Sequence, residues 1–265
     1  MSCDNKLRLL LAVAEFGSFT RAAQELHVAQ QAVSQQIKAL ERSLGMSLLR
    51  RTPRRVELTH PYYELTERGV EVTIASPDGG KVEADALSDP RDDSKWSSED
   101  LISMGFFNTP ELVAMLDTTP AVSDLALDQF DAIMIAGGQA PMFGYREDTR
   151  VHDAIRTFYE AEKPVAVYCH GVAALVDLKL SDGSYLVAGK TVTGFSDVEE
   201  DYSDQAAGVQ IMPWRLEPVL KERGANYISA GLFKAFAIRD GRLVSGQQQY
   251  SGRKVAQVVI DMLGV

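Results

Sequence analysis

The stretch Val165–Leu175, VAVYCHGVAAL, constrains the fold more than any other part of the sequence. A short apolar run, Val165–Tyr168, stops at Cys169-His170-Gly171, and small apolar residues then resume at helical spacing. This pattern predicts a buried strand, a sharp turn and a helix. A thiol at such a corner faces the first N–H groups of the helix, which lower its pKa. Cys169 is therefore a candidate nucleophile, and a buried inert cysteine is the alternative.

Strands and helices alternate on both sides of this corner. Besides Val165–Tyr168, strands are predicted at Val70–Ala75, Ala132–Ala136 and Thr191–Phe195, and a hairpin at Ala235–Ile238 and Leu243–Ser245. Helices are predicted near Pro110–Leu116, Thr149–Glu162, Trp214–Arg223 and Ser251–Leu263, and residues 81–109 are predicted as a long polar loop. This alternation is typical of a parallel sheet covered by helices, with ligands at the carboxyl ends of the strands.

Charge is distributed unevenly along the 265 residues. Residues 1–60 hold 9 Lys/Arg and 5 Asp/Glu, whereas residues 61–265 hold 18 and 32, so that a basic segment precedes an acidic body. The net charge of −10 argues against the whole chain coating nucleic acid. The basic segment is consistent with one nucleic-acid-binding module, or with a chance asymmetry in a short segment.

The first sixty residues have the apolar spacing of three short helices. A tight turn at Val28-Ala29 precedes the third helix, from about Gln30 to Ser43, and this arrangement predicts a helix-turn-helix. The exposed face of the third helix carries side chains that can bond base edges, namely Gln30, Gln31, Ser34, Gln35 and Lys38. A predicted wing follows, with four arginines for phosphates or a minor groove, namely Arg50, Arg51, Arg54 and Arg55. The alternative is a small helical domain with a solvated polar face.

The segment SFTRAAQELHVAQQAVSQQIKALERSLGMSLLRRTPRRVELT resembles the winged helix-turn-helix of LysR-type transcriptional regulators, and the resemblance extends over residues 6–59. It implies a domain at residues 1–59 that binds double-stranded DNA, with Thr20 joining the five polar residues of the third helix at the DNA-facing positions. The long linker helix that drives dimerisation in that family does not follow Thr59. Dimeric binding would therefore depend on the second module.

Residues 60–265 contain DAIMIAGGQAPM, KPVAVYCHGVAAL, GKTVTGFSDVEEDY and FAIRDGRLVSGQQQYSG, which resemble the PfpI-like superfamily. This superfamily has the class I glutamine amidotransferase-like fold. The resemblance implies a flavodoxin-like α/β sandwich, usually a homodimer, that needs no cofactor and has Cys169 as nucleophile with His170 beside it. Members convert methylglyoxal to lactate, hydrate isonitriles or act as chaperones.

Gly137-Gly138-Gln139 follows the predicted strand Ala132–Ala136. The two glycines can form a wall of amide donors beside the thiol, suited to a developing oxyanion, or simply a tight turn. The loop is a poor phosphate site because no lysine follows it. Gln139 stands where many members of the glyoxalase branch have histidine.

The resemblance also places an acidic residue against the cysteine, four residues before Pro61, and this is Glu57. A protonated carboxyl at that position can hold the thiolate by a hydrogen bond. The alternative is a solvated glutamate of the wing. The superfamily's first strand precedes this acid, where this chain has the helix-turn-helix. The sheet is therefore expected to lack a central strand between Val70–Ala75 and Ala132–Ala136.

Other polar residues carry less weight. Asp197, Glu199 and Glu200 are candidates to orient His170, but a charged run of this kind is more typical of a solvated loop. The remaining histidines show no metal-ligand spacing, so no metal is expected. No long apolar run and no signal-peptide pattern is found. We therefore expect no membrane partner, and we expect a cytoplasmic location.

These patterns together predict a DNA-binding transcriptional regulator. Its PfpI-like domain would sense a small carbonyl or other electrophilic ligand through Cys169. Two alternatives stay open: a cofactor-free enzyme of the glyoxalase or hydratase type, and a chaperone-like dimer without turnover.

Overall fold

The structure is a computed structural model that describes residues 58–84, 89–92 and 98–265, together with the isolated positions 26 and 28. The chain divides into two compact units, Met1–Thr52 and Pro53–Val265, and the fold described here belongs to the second unit. Glu57 and the predicted DNA-facing and wing residues lie outside the described residues.

Helices and strands alternate along the described chain as the sequence predicts. The helices are α1 (Thr59–Glu67), α2 (Leu101–Phe107), α3 (Pro110–Asp117), α4 (Pro141–Gly144), α5 (Thr149–Glu160), α6 (Asp197–Ala207), α7 (Leu216–Glu222) and α8 (Gly252–Leu263). The strands are β1 (Ile133–Ile135), β2 (Val165–Tyr168), β3 (Thr191–Val192), β4 (Asn226–Tyr227), β5 (Ala237–Asp240) and β6 (Leu243–Gly246). A helical turn of 3₁₀ type spans Cys169–Leu175.

The main sheet has the strand order β1-β2-β6-β5. The first three strands are parallel, with Ile135 opposite Val167 and Tyr168 opposite Gly246. Strand β5 runs antiparallel to β6 and forms the predicted hairpin through Gly241, whose φ of 63° favours glycine. Parallel strands require helical crossovers, which is why helices cover this sheet. The predicted α/β class is confirmed.

The strand predicted at Val70–Ala75 is wrong for the described structure. These residues form no ladder, and two isolated bridges follow them, Ser76 with Ala121 and Gly80 with Thr119. Strand β1 is half-buried and pairs with β2, which is fully buried. Within the described ranges, no strand lies between residues 70–75 and β1. A strand needs a neighbour for its alternate N–H and C=O groups, and the described residues provide none beside Val70–Ala75.

The prediction of an uninterrupted loop at residues 81–109 is also wrong, because α2 lies within it. Asp100 caps this helix by accepting hydrogen bonds from the N–H groups of Ile102 and Ser103, at 3.1 and 3.3 Å. The helix buries Phe106, which packs edge-to-face on Tyr62 with ring centroids 5.5 Å apart. Phe106 and Phe107 therefore form a small core with α1.

The principal core lies on the sheet. Strands β2 and β6 contribute fully buried side chains, and α8 covers them with Val255, Ala256, Val259 and Ile260. Gly252 is the first residue of α8. A Cβ atom at Gly252 would lie 3.0 Å from Pro61 of α1, so the two helices approach each other closely. The core thus packs around the carboxyl end of β2.

In residues 58–84, 89–92 and 98–265, no helix has the length and apolar character needed to cross a membrane.

Candidate active site

The corner after β2, the elbow Cys169-His170-Gly171, is a strained turn. Tyr168 ends the strand in extended conformation, and Cys169 then adopts a φ of 55°, which is uncommon for a residue with a side chain. Backbone strain of this kind persists only where the surrounding structure fixes it, and it concentrates at functional sites. Cys169 itself is buried. The predicted strand–turn–helix is confirmed, with a 3₁₀ turn in place of the expected α-helix.

Gly171 allows this turn to pack against the end of β1. A Cβ atom at Gly171 would lie 2.6 Å from Ala136 O and 2.7 Å from Ile135 O. Both contacts involve backbone atoms, which cannot rotate away as the end of a side chain can. The glycine therefore fixes the position of the cysteine relative to the neighbouring strand.

We expect Gly171→Ala to lower the free energy of unfolding by about 1–3 kcal/mol, because the methyl group would overpack the elbow. Urea denaturation measures the change, and mass spectrometry of the Cys169 peptide after iodoacetamide treatment measures thiol reactivity. Gly144→Ala is the matched control, because a Cβ atom there has no neighbour within 4 Å. Equal stability of the two variants would show that the elbow tolerates the methyl group.

His170 faces the thiol on one side and a carboxylate on the other. Its Nδ1 atom lies 3.8 Å from Cys169 Sγ, and its Nε2 atom lies 3.0 Å from Glu200 Oε1. An ionised carboxylate only accepts hydrogen bonds, so Nε2 donates to Glu200 and Nδ1 is left to receive the proton of the thiol. The imidazole stacks on Phe195 with ring centroids 4.3 Å apart. Cysteine, histidine and glutamate thus form a line in which each group orients the next.

The prediction that the segment of Glu199 and Glu200 is a solvated loop is wrong. Both side chains are buried in the first turn of α6. Ser196 caps this helix through a reciprocal capping box with Glu199, in which Ser196 N donates to Glu199 Oε2 at 3.0 Å. The cap fixes the start of the helix and turns Glu200 toward His170. The Ser-x-x-Glu spacing from Ser196 to Glu199 is the sequence signal for the start of this helix.

Glu199 connects the same helix to two other parts of the unit. Its Oε1 atom accepts hydrogen bonds from Phe233 N at 2.9 Å and from Gln247 Nε2 at 2.8 Å. Phe233 has a φ of 51° and packs near Phe195, which in turn contacts His170. Asp197, by contrast, is half-buried, and its burial, reinforced by nearby Glu217, raises the pKa of its carboxyl. Of the three acids considered from sequence, Glu200 is the one bonded to His170.

The glycine pair lies at the same edge of the sheet as the thiol. Gly137 and Gly138 are buried directly after β1, and Gly138 has a φ of 94°. The contact between Gly171 and the carbonyl of Ala136 shows that this loop adjoins the elbow. Gln139 follows and is half-buried. The structure therefore brings together two of the predicted groups, the thiol with its histidine and the diglycine loop.

Cavity volume alone does not mark this site. A cleft of about 590 Å³ lies at the opposite edge of the sheet, where Pro164 precedes β2 and Gly241 joins β5 to β6. Two of its cations are already paired, Lys190 with Asp240 at 3.3 Å and Arg242 with Glu162 at 3.0 Å. In the part of the chain that the structure describes, no group of three His, Cys, Asp or Glu residues could hold a metal ion.

A comparison with family models assigns both parts of the chain. Residues 47–261 match the model of the DJ-1/PfpI family, and the chain belongs to that family. Residues 5–61 match the model of the bacterial regulatory helix-turn-helix proteins of the LysR family. The chain thus joins a LysR-type helix-turn-helix to a DJ-1/PfpI domain, as the sequence predicts. The two matches overlap at residues 47–61, which contain Glu57.

Curated relatives and solved structures agree with this assignment. Glutathione-independent glyoxalase HSP31 of Saccharomyces cerevisiae is 29% identical over 213 residues, which cover 78% of this chain and 87% of that protein. Glyoxalase III of Candida albicans is similar in structure, with a TM-score of 0.65 at 27% identity over 77% of this chain and 85% of that one. The Rapid Encystment Protein of Francisella tularensis has a TM-score of 0.70 at 28% identity, over 78% and 88% of the two chains.

The N-terminal region has relatives of another kind. The carbapenem-hydrolyzing beta-lactamase transcriptional activator of Enterobacter cloacae is 51% identical over 55 residues, which are 21% of this chain and 19% of that activator. The matched stretch is about as long as the match to the LysR-type model at residues 5–61.

Proposed function

We propose that this chain is a DNA-binding regulator whose DJ-1/PfpI domain captures a small reactive carbonyl compound at Cys169. The observation that carries the proposal is the line Cys169–His170–Glu200, in the same chain as a LysR-type helix-turn-helix. A buried glutamate that orients a histidine beside a strained cysteine is an arrangement suited to thiol chemistry. The helix-turn-helix supplies a means of reporting that chemistry to DNA.

Capture of an aldehyde at this site balances without any further reagent. His170 Nδ1 takes the proton of the thiol, and Cys169 Sγ forms a bond to the aldehyde carbon. The carbonyl π bond breaks to give an oxyanion, which His170 then protonates to a hemithioacetal. We propose that the amides at Gly137 and Gly138 stabilise the oxyanion. We propose Gln139 as a ligand contact and Glu57 as a hydrogen-bond partner of the thiol.

We place the DNA-binding domain at residues 1–59 and the ligand domain at residues 60–265. Thr20, Gln30, Gln31, Ser34, Gln35 and Lys38 are proposed to face the major groove, and the wing arginines to contact backbone phosphates. A homodimer through the second domain would place two recognition helices on one duplex, which compensates for the absence of the family's linker helix.

Gln35→Ala is expected to weaken binding to a selected duplex by about 5- to 100-fold, because a Gln side chain in the major groove contributes about 1–3 kcal/mol of base recognition. Fluorescence anisotropy with DNA fragments selected from a genomic library measures the affinity, beginning at low salt. Gln129→Ala, an exposed position of the second domain, is the matched control. Absence of duplex binding by the unaltered protein at low salt would contradict the proposal.

A second candidate function is glyoxalase turnover, and the likeness to glutathione-independent glyoxalases over most of their length favours it. From the hemithioacetal of methylglyoxal, a hydrogen moves from the former aldehyde carbon to the neighbouring carbonyl carbon, and the hydroxyl proton moves to the oxygen of that carbonyl. The product is a lactoyl thioester. Water then releases lactate and restores the thiol. The overall change adds one water to methylglyoxal and needs no external oxidant or reductant.

A further inference from the structure

Arg215 lies behind the carboxylate that orients His170. This arginine immediately precedes α7, and its guanidinium faces the acidic side of α6. The Nη1 atom is 4.0 Å from Glu200 Oε2, the oxygen on the far side of the carboxylate from His170. Within the described part of the chain, Nη1 is buried and makes no hydrogen bond. A buried donor without a partner thus faces a buried carboxylate oxygen.

The other side of the guanidinium is held firmly. Its Nη2 atom donates to Asp204 Oδ2 at 2.7 Å and to Asp201 Oδ1 at 3.0 Å. Both acids are on α6, the helix that carries Glu200. Because the guanidinium is planar and rigid, these bonds set the direction in which Nη1 points. The arginine is therefore aimed at Glu200 by two residues of the same helix.

Glu200 needs a compensating cation if it is to act as a carboxylate. Its side chain is 1% exposed, and an ionised group at that depth is costly unless it is paired. The neighbouring acids add negative charge to the same region. The charged groups on this side of the elements that hold Glu200 are Asp197, Glu199, Asp201 and Asp204 on α6, and Arg215 and Glu217 at the start of α7.

We propose that Arg215 is a positioning residue that keeps Glu200 ionised and thereby keeps Cys169 reactive near neutral pH. Arg215 acts through Glu200: the carboxylate favours the imidazolium form of His170, and the imidazolium stabilises the thiolate of Cys169. This inference rests on the proposed reactive thiol. It extends that proposal to a residue outside the elbow, directly before α7.

The test is the pH dependence of Cys169 alkylation in the full-length protein. Iodoacetamide is the probe, and mass spectrometry of the Cys169 peptide separates its rate from that of Cys3. Arg215→Met is expected to move the midpoint of the rate profile upward by about half a pH unit or more, because it removes the cation near Glu200. Arg215→Lys is expected to keep the midpoint close to the wild-type value, because lysine retains the positive charge.

The matched control is Arg223→Met at the other end of α7, where the arginine pairs with Asp177 at 2.7 Å. That variant loses an ion pair of the same kind and is expected to keep the wild-type midpoint. A wild-type midpoint in folded Arg215→Met would overturn the role of Arg215. A thiol titrating near 8.5 in the wild-type protein would instead overturn the reactive cysteine itself, so the two failures are distinguishable.

Discussion

Cys169→Ala is expected to abolish lactate formation from methylglyoxal, with a fall of about 1,000-fold or more in any turnover that the wild-type protein shows. The loss follows because the variant has no atom that can form the bond to the aldehyde carbon. Turnover is measured as lactate released without added glutathione or metal. Cys3→Ala is the matched control, since it removes the second cysteine of the chain and leaves the elbow intact.

The same lactate assay on the wild-type protein separates the two candidate functions. If the wild-type protein forms a hemithioacetal at Cys169 but releases no lactate, the domain captures the ligand without turning it over, as the regulator proposal requires. Undiminished lactate formation by Cys169→Ala would show that the elbow thiol is not the nucleophile.

Glu200→Gln is expected to slow alkylation of Cys169 at pH 7 by about 100-fold or more, because a positioned acid–base group contributes about 100- to 10,000-fold. The amide keeps the size of the side chain but removes the charge that favours an imidazolium at His170. The 3.0 Å bond between Glu200 and His170 is the contact under test. Peptide-resolved mass spectrometry after timed iodoacetamide treatment measures the rate.

The control for this experiment is Glu162→Gln, the same change at an exposed site. The Glu162 side chain is 78% exposed and contacts Arg242 rather than His170. We expect this variant to retain the wild-type rate within a few fold. Equal slowing by both variants would mean that the total charge of the protein, and not the bond to His170, governs the thiol.

The elbow was predictable because its information is local. Four apolar residues, a cysteine and a glycine specify a strand followed by a tight turn, and the neighbouring alternation specifies a parallel sheet. The diglycine loop was placed beside the thiol for a similar reason, since carboxyl ends of adjacent parallel strands share one edge.

Glu200 was harder to assign because its burial depends on distant residues. The capping box of Ser196 and Glu199 is visible in the sequence, but the donors that stabilise Glu199 inside the protein come from Phe233 and Gln247. A charged run without those partners would be solvated. The strand prediction for Val70–Ala75 is wrong for a related reason. Its residues have β-propensity, but a strand forms only where a neighbouring strand pairs with it.

The measurement that tests the central claim most directly is the effect of methylglyoxal on DNA affinity in the wild-type protein and in Cys169→Ala. Fluorescence anisotropy on one selected duplex, at fixed salt, gives both dissociation constants, and mass spectrometry of the same samples reports modification of Cys169. The proposal predicts that methylglyoxal changes the affinity of the wild-type protein several-fold and leaves that of Cys169→Ala unchanged. An unchanged wild-type affinity despite complete modification of Cys169, or an equal change in both proteins, would contradict it.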